Sequence, residues 1–338
     1  MIKAHEQGQQ WKNYGCEWIE THRDGNILVK LGWLIKGWLR FLCKLPGCDL
    51  VHLHTSEPPS ALRKRVFFMP LAKLLGKKVI VHFHAFSPET TIRGKHAGLY
   101  HYLFGKADCV VVLSEYWKRE VEKEILGANV EVIYNPCQVK PTEMSVGIVD
   151  NGGAQPMKYS ILYAGTINAR KGYADMLKAF AKIATEHQDW KIVFAGNGEI
   201  EQGKALAKEL GICSQTQWLG WVNGVDKERA FREATIFCLP SYAEGFPMSV
   251  LDAWSYGLPV ITTPVGGIPD VAKDGENMLL FNPGDVNTLA KSMKRMMEDA
   301  TLRKRISNAS LELARTTFNI DNVNQCISDL YAKVLAEK

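Results

Sequence analysis

Short apolar runs, each ending in polar or turn residues, recur along the chain. In the first half they read Cys48-Asp-Leu-Val-His-Leu-His54, Lys78-Val-Ile-Val-His-Phe-His84, Cys109-Val-Val-Val-Leu-Ser114 and Val130-Glu-Val-Ile-Tyr134. Runs of this length, β-branched and nearly continuous in apolarity, predict strands buried on both faces of a parallel sheet. Helical stretches separate them, as βαβ units require. The alternation restarts with a strand at 159–164. A helix follows Gly172, with Tyr173, Leu177, Phe180, Ala181 and Ala184 on one face. Further strands are expected at 192–195, 235–239 and 259–263, and the tail from about Val286 reads as helical. Between the halves, about 138 to 158, Pro, Gly, Ser and Asn mark a linker. The simplest architecture is α/β, with two doubly wound domains at 1–150 and 151–318. The last residues, 319–338, form a helix that could cross back onto the first domain. In such sheets ligands bind beyond the carboxyl ends of the strands, so a cleft between facing domains is the expected site.

A chain of 338 residues suits two cores of about 150 residues each. With 46% hydrophobic and 23% charged residues, it has the composition of a soluble globular protein. No apolar run reaches the ~18 residues of a membrane span, and no apolar segment of a secretory signal follows Met1. The eight cysteines are scattered without a Cys-x-x-Cys pair, which argues against a zinc site or a disulfide framework and for a cytoplasmic protein. The net charge of +5 resides in the first half. Residues 28–106 alone hold 13 basic and 3 acidic side chains, so an anionic partner or a solvated basic face is expected there.

Three stretches carry candidate chemistry. Ser241-Tyr-Ala-Glu244-Gly245-Phe246-Pro247-Met248-Ser249-Val-Leu-Asp252-Ala-Trp254 follows a buried strand and opens a helix near Met248. Free amides and a positive dipole end there suit a phosphate. Glu244 would stand beside the group attached to that phosphate, and Asp252 lies near two turns into the helix; carboxylates so placed accept strongly from sugar and ribose hydroxyls. Gly165-Thr166-Ile-Asn-Ala-Arg170-Lys171-Gly172 lies at the first strand-to-helix turn of the second domain. A cation there would face the pyrophosphate, and fixed positive charge stabilises a departing diphosphate more than the ground state. Gly257-Leu-Pro-Val and Gly266-Gly-Ile-Pro-Asp270 form a strand and a Gly-Gly turn that lets backbone approach a ligand.

Together, in this order and spacing, these segments resemble the retaining glycosyltransferases of family 4, which have two Rossmann-like domains facing across a cleft (GT-B). The resemblance implies that Glu244 contacts hydroxyls of the donor sugar, Asp252 the ribose, and Lys171 the diphosphate. It implies donor contacts from Gly165, Gly245, Phe246, Pro247, Met248 and Ser249, with Gly196-Asn197-Gly198-Glu199 and Trp221-Val222 lining the base. Thr166 stands where the family commonly has an arginine, and Arg170 could supply that charge. His84 resembles the family's cleft histidine near the transferred sugar; a strand-end core histidine is the other reading. His52, His54 and His82 share its two-residue spacing. A His-x-His pair can bind metal, but the resemblance implies no essential metal or other cofactor, because Lys171 and the helix terminus neutralise the diphosphate. The family begins with a strand and a Gly-rich loop, and the first residues here read as the helix that follows them.

The resemblance thus implies transfer of a hexose from a nucleotide sugar to a glycan or lipid-linked acceptor in polysaccharide or glycolipid synthesis. The alternatives are a nucleotide-sugar epimerase of similar fold and a non-catalytic nucleotide-sugar-binding remnant. Residues 28–45 interleave Lys30, Lys36, Arg40 and Lys44 with Trp33, Trp38 and Phe41, and 62–78 repeat the theme. Such segments suit an anionic bilayer surface, here the inner face of the membrane, while buried helices with solvated cations are the plainer reading. No nucleic-acid-binding module accompanies the charge.

Overall fold

A computed structural model describes residues 5–6, 8–23, 25–140 and 158–337. The chain forms two compact units. One contains 1–135 together with 320–338, the other 136–319. The division after Asn135 precedes the expected boundary at 150. Residues 136–140 are tied to the second unit, with Cys137 N donating to Phe318 O and Lys140 N to Ser255 O. Most of the expected linker, 141–157, lies outside the described residues.

The first unit holds four parallel strands in the order β1 (Leu50–Thr55), β2 (Lys78–Phe83), β3 (Cys109–Val112), β4 (Val130–Val132). Both faces are covered, which is why β2 and β3 read as unbroken apolar runs. Val79, Val81, Phe83, Val110 and Val112 face Phe68, Met69, Phe104 and Trp117. On the other face, Ile80, Cys109, Val111 and Ile133 meet Val323, Ile327, Leu330, Tyr331 and Val334 of the last helix (Ile320–Ala336). Complete burial of each such aliphatic side chain is worth about 1.5–3 kcal/mol, so this helix is an integral layer of the first unit.

A long helix, α1 (Ile27–Lys44), starts where the Asn26 side chain accepts from Val29 N at 3.0 Å. The aromatic residues do not form its outer face. Phe41 is buried against Phe68, and Trp38 is half-buried with Nε1 donating to Phe67 O. The exposed apolar stripe is aliphatic: Leu28, Leu31, Ile35 and Leu39, at helical spacing.

The second unit is a six-stranded parallel sheet in the order β10-β9-β8-β5-β6-β7. Its strands are β5 (Tyr159–Ala164), β6 (Trp190–Ala195), β7 (Thr216–Gly220), β8 (Ile236–Leu239), β9 (Val260–Thr262) and β10 (Leu279–Leu280). From β5 the chain winds outward to β7, then returns to the other side of β5 and winds the opposite way. The order reverses between β5 and β8, so the loops leaving those two strands stand side by side, as at a ligand-binding switch point. Strands β7 and β10 were not anticipated: β7 (Thr-Gln-Trp-Leu-Gly) is a partly exposed edge strand without a continuous apolar run, and β10 has two residues.

Candidate active site

The two adjacent loops carry the residues singled out in the sequence. After β5, Asn168 caps a single turn by accepting from Lys171 N at 3.1 Å. Gly172 then adopts a left-handed conformation (φ +69°) before α2 (Tyr173–Ala181). A Cβ at Gly172 would lie 2.0 Å from Pro240 O, so only glycine lets the Lys171 loop approach the end of β8 this closely.

After β8, Ser241 to Pro247 lead into α3 (Met248–Ser255), whose first turn has no side-chain cap. Amides at such a terminus are available to an anion. Glu244 is 7% exposed. Its Oε1 accepts from Lys171 Nζ at 2.5 Å and from Ser241 Oγ at 2.7 Å, with Arg170 Nη1 3.7 Å away. Arg170 braces the loop: its Nη1 donates to Ala243 O at 2.6 Å, and its carbonyl accepts from Tyr242 N at 2.7 Å. The Gly266-Gly267 turn supports the loop from below. Gly267 N donates to Gly245 O at 2.7 Å, and a Cβ on Gly266 would lie 2.2 Å from Glu244 O. The Gly-Gly pair thus brings backbone against the Glu244 loop.

The remaining predicted residues surround this centre in the same unit. Gly165 leaves β5 with φ +149°, and the Thr166 carbonyl accepts from Tyr163 Oη at 2.8 Å. Asn197 O accepts from Ile167 N at 2.7 Å, joining the β6 turn to the β5 turn. Val222 is half-buried after β7, beside the exposed Trp221. Phe246 is buried against Phe318 and Trp254, Met248 is exposed and Ser249 half-buried. Asp252 is held by Lys227 Nζ at 2.7 Å, a partner the sequence did not reveal. Sequence reasoning also missed Ser241 as the neutral donor to Glu244, and the bonds from Tyr173 Oη to Glu199 (3.0 Å) and from Tyr242 Oη to Asp175 (2.7 Å).

His84 belongs to the first unit. Its amide donates to Thr55 O at 2.8 Å, and its Nε2 shares a hydrogen bond with His54 Nδ1 at 2.9 Å. Burial, with nearby histidine charge adding to it, pushes its pKa down to about 3, so the ring is neutral near pH 7.

A parallel sheet with a switch point, a glycine-braced acid loop and a lysine paired with that acid make up the candidate site. Two glycosyltransferase family models together match most of the chain. The family model described as "Glycosyl transferases group 1" matches residues 148–312, and that of "Glycosyltransferase Family 4" matches 13–140. Among similar proteins is an uncharacterized glycosyltransferase of Methanocaldococcus jannaschii, 26% identical over 211 residues, covering 60% of this chain and 53% of that protein. A lipopolysaccharide 1,6-galactosyltransferase of Salmonella typhimurium is 29% identical over 230 residues, covering 65% of this chain and 60% of that protein. The chain thus spans little more than half the length of these relatives. The crystal structure of Anabaena HepE in complex with UDP shares the two-domain GT-B fold, with a TM-score of 0.73, 18% identity, and coverage of 88% of this chain and 82% of that one.

Proposed function

We propose that this chain transfers a hexose from a nucleoside-diphosphate sugar to a glycan or lipid-linked acceptor, with the anomeric configuration retained. The observation that carries the reading is the buried Lys171–Glu244 pair beside the uncapped start of α3. A diphosphate would draw Lys171 and the first amides of α3, and Glu244 would turn its acceptor oxygens to the sugar hydroxyls. Retention follows from front-face displacement: the departing phosphate oxygen helps deprotonate the acceptor hydroxyl, while Lys171 and the helix terminus stabilise the developing charge. Asp252 is assigned to the ribose, Val222 and Asn197 to the base side, and His84 to the transferred sugar. No metal or cofactor enters this scheme. The names of the relatives, one acting on lipopolysaccharide and one structure holding UDP, support the same substrate class.

The test is a melting-temperature panel of UDP-, GDP- and ADP-sugars. Donors of one base should raise the melting temperature by roughly 5–10 °C at a hundredfold excess over Kd, a stabilisation of about 2.7 kcal/mol. Lys171→Ala should lose most of that shift. A panel without any shift, or a shift indifferent to Lys171, overturns the reading. Donor isomerised without acceptor would establish the epimerase instead, and donor bound but never consumed the binding remnant.

The acceptor side is proposed to rest on the cytoplasmic face of an anionic membrane through 28–45 and 62–78. No helix among the described residues is long and apolar enough to cross a membrane. The support is the aliphatic stripe of α1, with Leu28 73% and Leu31 51% exposed, flanked by Lys30 and Lys36. Arg40 and Lys44 share Glu17 at 3.3 and 2.6 Å, so much of their charge is already neutralised. Vesicle binding should rise with anionic lipid and fall with salt. At ~1 kcal/mol per cation, replacing Lys30 and Lys36 by Ala should weaken it roughly thirtyfold. Absence of binding to anionic vesicles at low salt would remove this part.

A further inference from the structure

The first unit gathers five histidines that the transfer reading leaves largely unused. Parallel pairing sets His54 directly opposite His82, and the two-residue alternation places His52 and His84 on the same face. The rings form a pile: His52 to His54 at 4.7 Å, His54 to His82 at 4.9 Å and His52 to His82 at 5.4 Å between centroids, all nearly parallel. Burying this much imidazole is costly unless its nitrogens are satisfied, and several are not. His82 is 1% exposed, and neither of its ring nitrogens has a hydrogen-bond partner among the described residues. The same holds for Nε2 of His52 and of His5.

We infer that His52, His54 and His82 form a binding site for one borderline divalent transition-metal ion of the zinc, cobalt and nickel class. One nitrogen from each of the three lies within 4.8 Å of the others. Coordination at ~2.0–2.1 Å per imidazole sets tetrahedral nitrogens about 3.4 Å apart, so the rings must turn out of their pile to bring their in-plane lone pairs onto one point. Two of the three ligands have the outer partner a metal-binding histidine requires, one nitrogen tied down, while both nitrogens of His82 are open. His52 Nδ1 is held by Tyr331 Oη at 2.8 Å, leaving Nε2 open. His54 Nδ1 is held by His84 Nε2 at 2.9 Å. His5, with Nδ1 on Asn324 Oδ1 at 3.0 Å and Nε2 open, stands 6.5 Å from His54 as a candidate fourth ligand.

The donor set fixes the ion class. Neutral imidazoles without a carboxylate suit zinc, cobalt, nickel or copper and not magnesium or calcium. A cavity of about 550 Å³, lined by His5, Trp18, His52, His54, Lys64 and Tyr331 among others, reaches His52 and His54. The Lys64 ammonium, 3.3 Å from Thr21 Oγ1, borders the same cavity and opposes a cation. The inference does not rest on the transfer activity.

The experiment uses the whole chain, stripped with chelator, in a background with the exposed Cys43, Cys213 and Cys326 changed to Ser to remove surface thiolates. Cobalt titration should produce visible d–d absorption saturating at one equivalent, displaced by zinc, and zinc but not magnesium should raise the melting temperature. His82→Asn should abolish the spectrum. Because that variant can fail to fold, Tyr331→Phe, which keeps every ring, provides the second reading and should weaken binding about tenfold or more. Lys64→Met should tighten it. No cobalt spectrum in the parent chain overturns the site, as does a spectrum that survives in folded His82→Asn. An affinity unmoved by Tyr331→Phe, or a shift that magnesium reproduces, also overturns it.

Discussion

Glu244→Gln is expected to lower sugar transfer by about 10²–10³-fold while leaving nucleotide binding nearly intact. Gln keeps the shape and an oxygen able to accept from Ser241 Oγ and Lys171 Nζ, now 2.7 and 2.5 Å away. What it removes is the negative charge. Lys171, with only 13% of its side chain exposed, then loses its ionic partner until a diphosphate arrives. The loss should therefore fall on kcat, with KM for the donor unchanged or lowered. Stability should drop by about 1–3 kcal/mol, less than the ~3–5 kcal/mol of breaking a buried pair outright, because the hydrogen bonds persist. Lys171→Ala divides the other way. It leaves the Glu244 carboxylate buried with Ser241 alone and should cost both stability and donor affinity. Full turnover in Glu244→Gln, or a loss confined to KM, would show that this acid does not read the sugar.

The two variants differ because the loops carry different loads, and only part of that was legible in the sequence. Glu244 and Lys171 could be found because strand-to-helix turns punctuate the chain with glycine and proline, and both lie at such turns. That they touch depends on strand order, which periodicity does not encode: β5 and β8 are neighbours although two strands and about 70 residues separate them. Ser241 was invisible as a partner for the same reason. Central strands were legible because burial on both faces leaves a continuous apolar run, while β7, half-exposed at an edge, lacks that signal. On α1 the sequence placed aromatics beside cations, but tertiary packing drew Phe41 inward and left the leucines outside. The bond from Tyr331 to His52 joins residues 279 positions apart and could be read only from the fold.

That bond belongs to the group of side chains for which a large pH effect is expected. In chelator, the first unit should lose stability steeply as pH falls from about 6.5. Burial, reinforced by neighbouring histidines, pushes the pKa of His52 and of His84 from 6.5 to about 3, and holds His54 and His82 well below the usual range. In this window the unfolded chain binds protons that the folded chain cannot, so stability rises with pH and is fully present only above the unfolded pKa. Each such histidine contributes up to about 1.4 kcal/mol per pH unit, and two acting together about 3 kcal/mol. A domain stable by roughly 5–15 kcal/mol should then unfold within a few pH units. Lys64, lowered by burial to about 8, adds a cation near the rings once protonated, and Glu17 and Asp49 line the same cavity. Carboxylates cannot mimic the effect between pH 6.5 and 5, where they remain ionised with ordinary pKa values near 4. Urea unfolding at pH 7, 6 and 5 should show a falling free energy whose slope shrinks in His82→Leu. A flat profile over that interval would mean that water or protons reach these rings in the folded state.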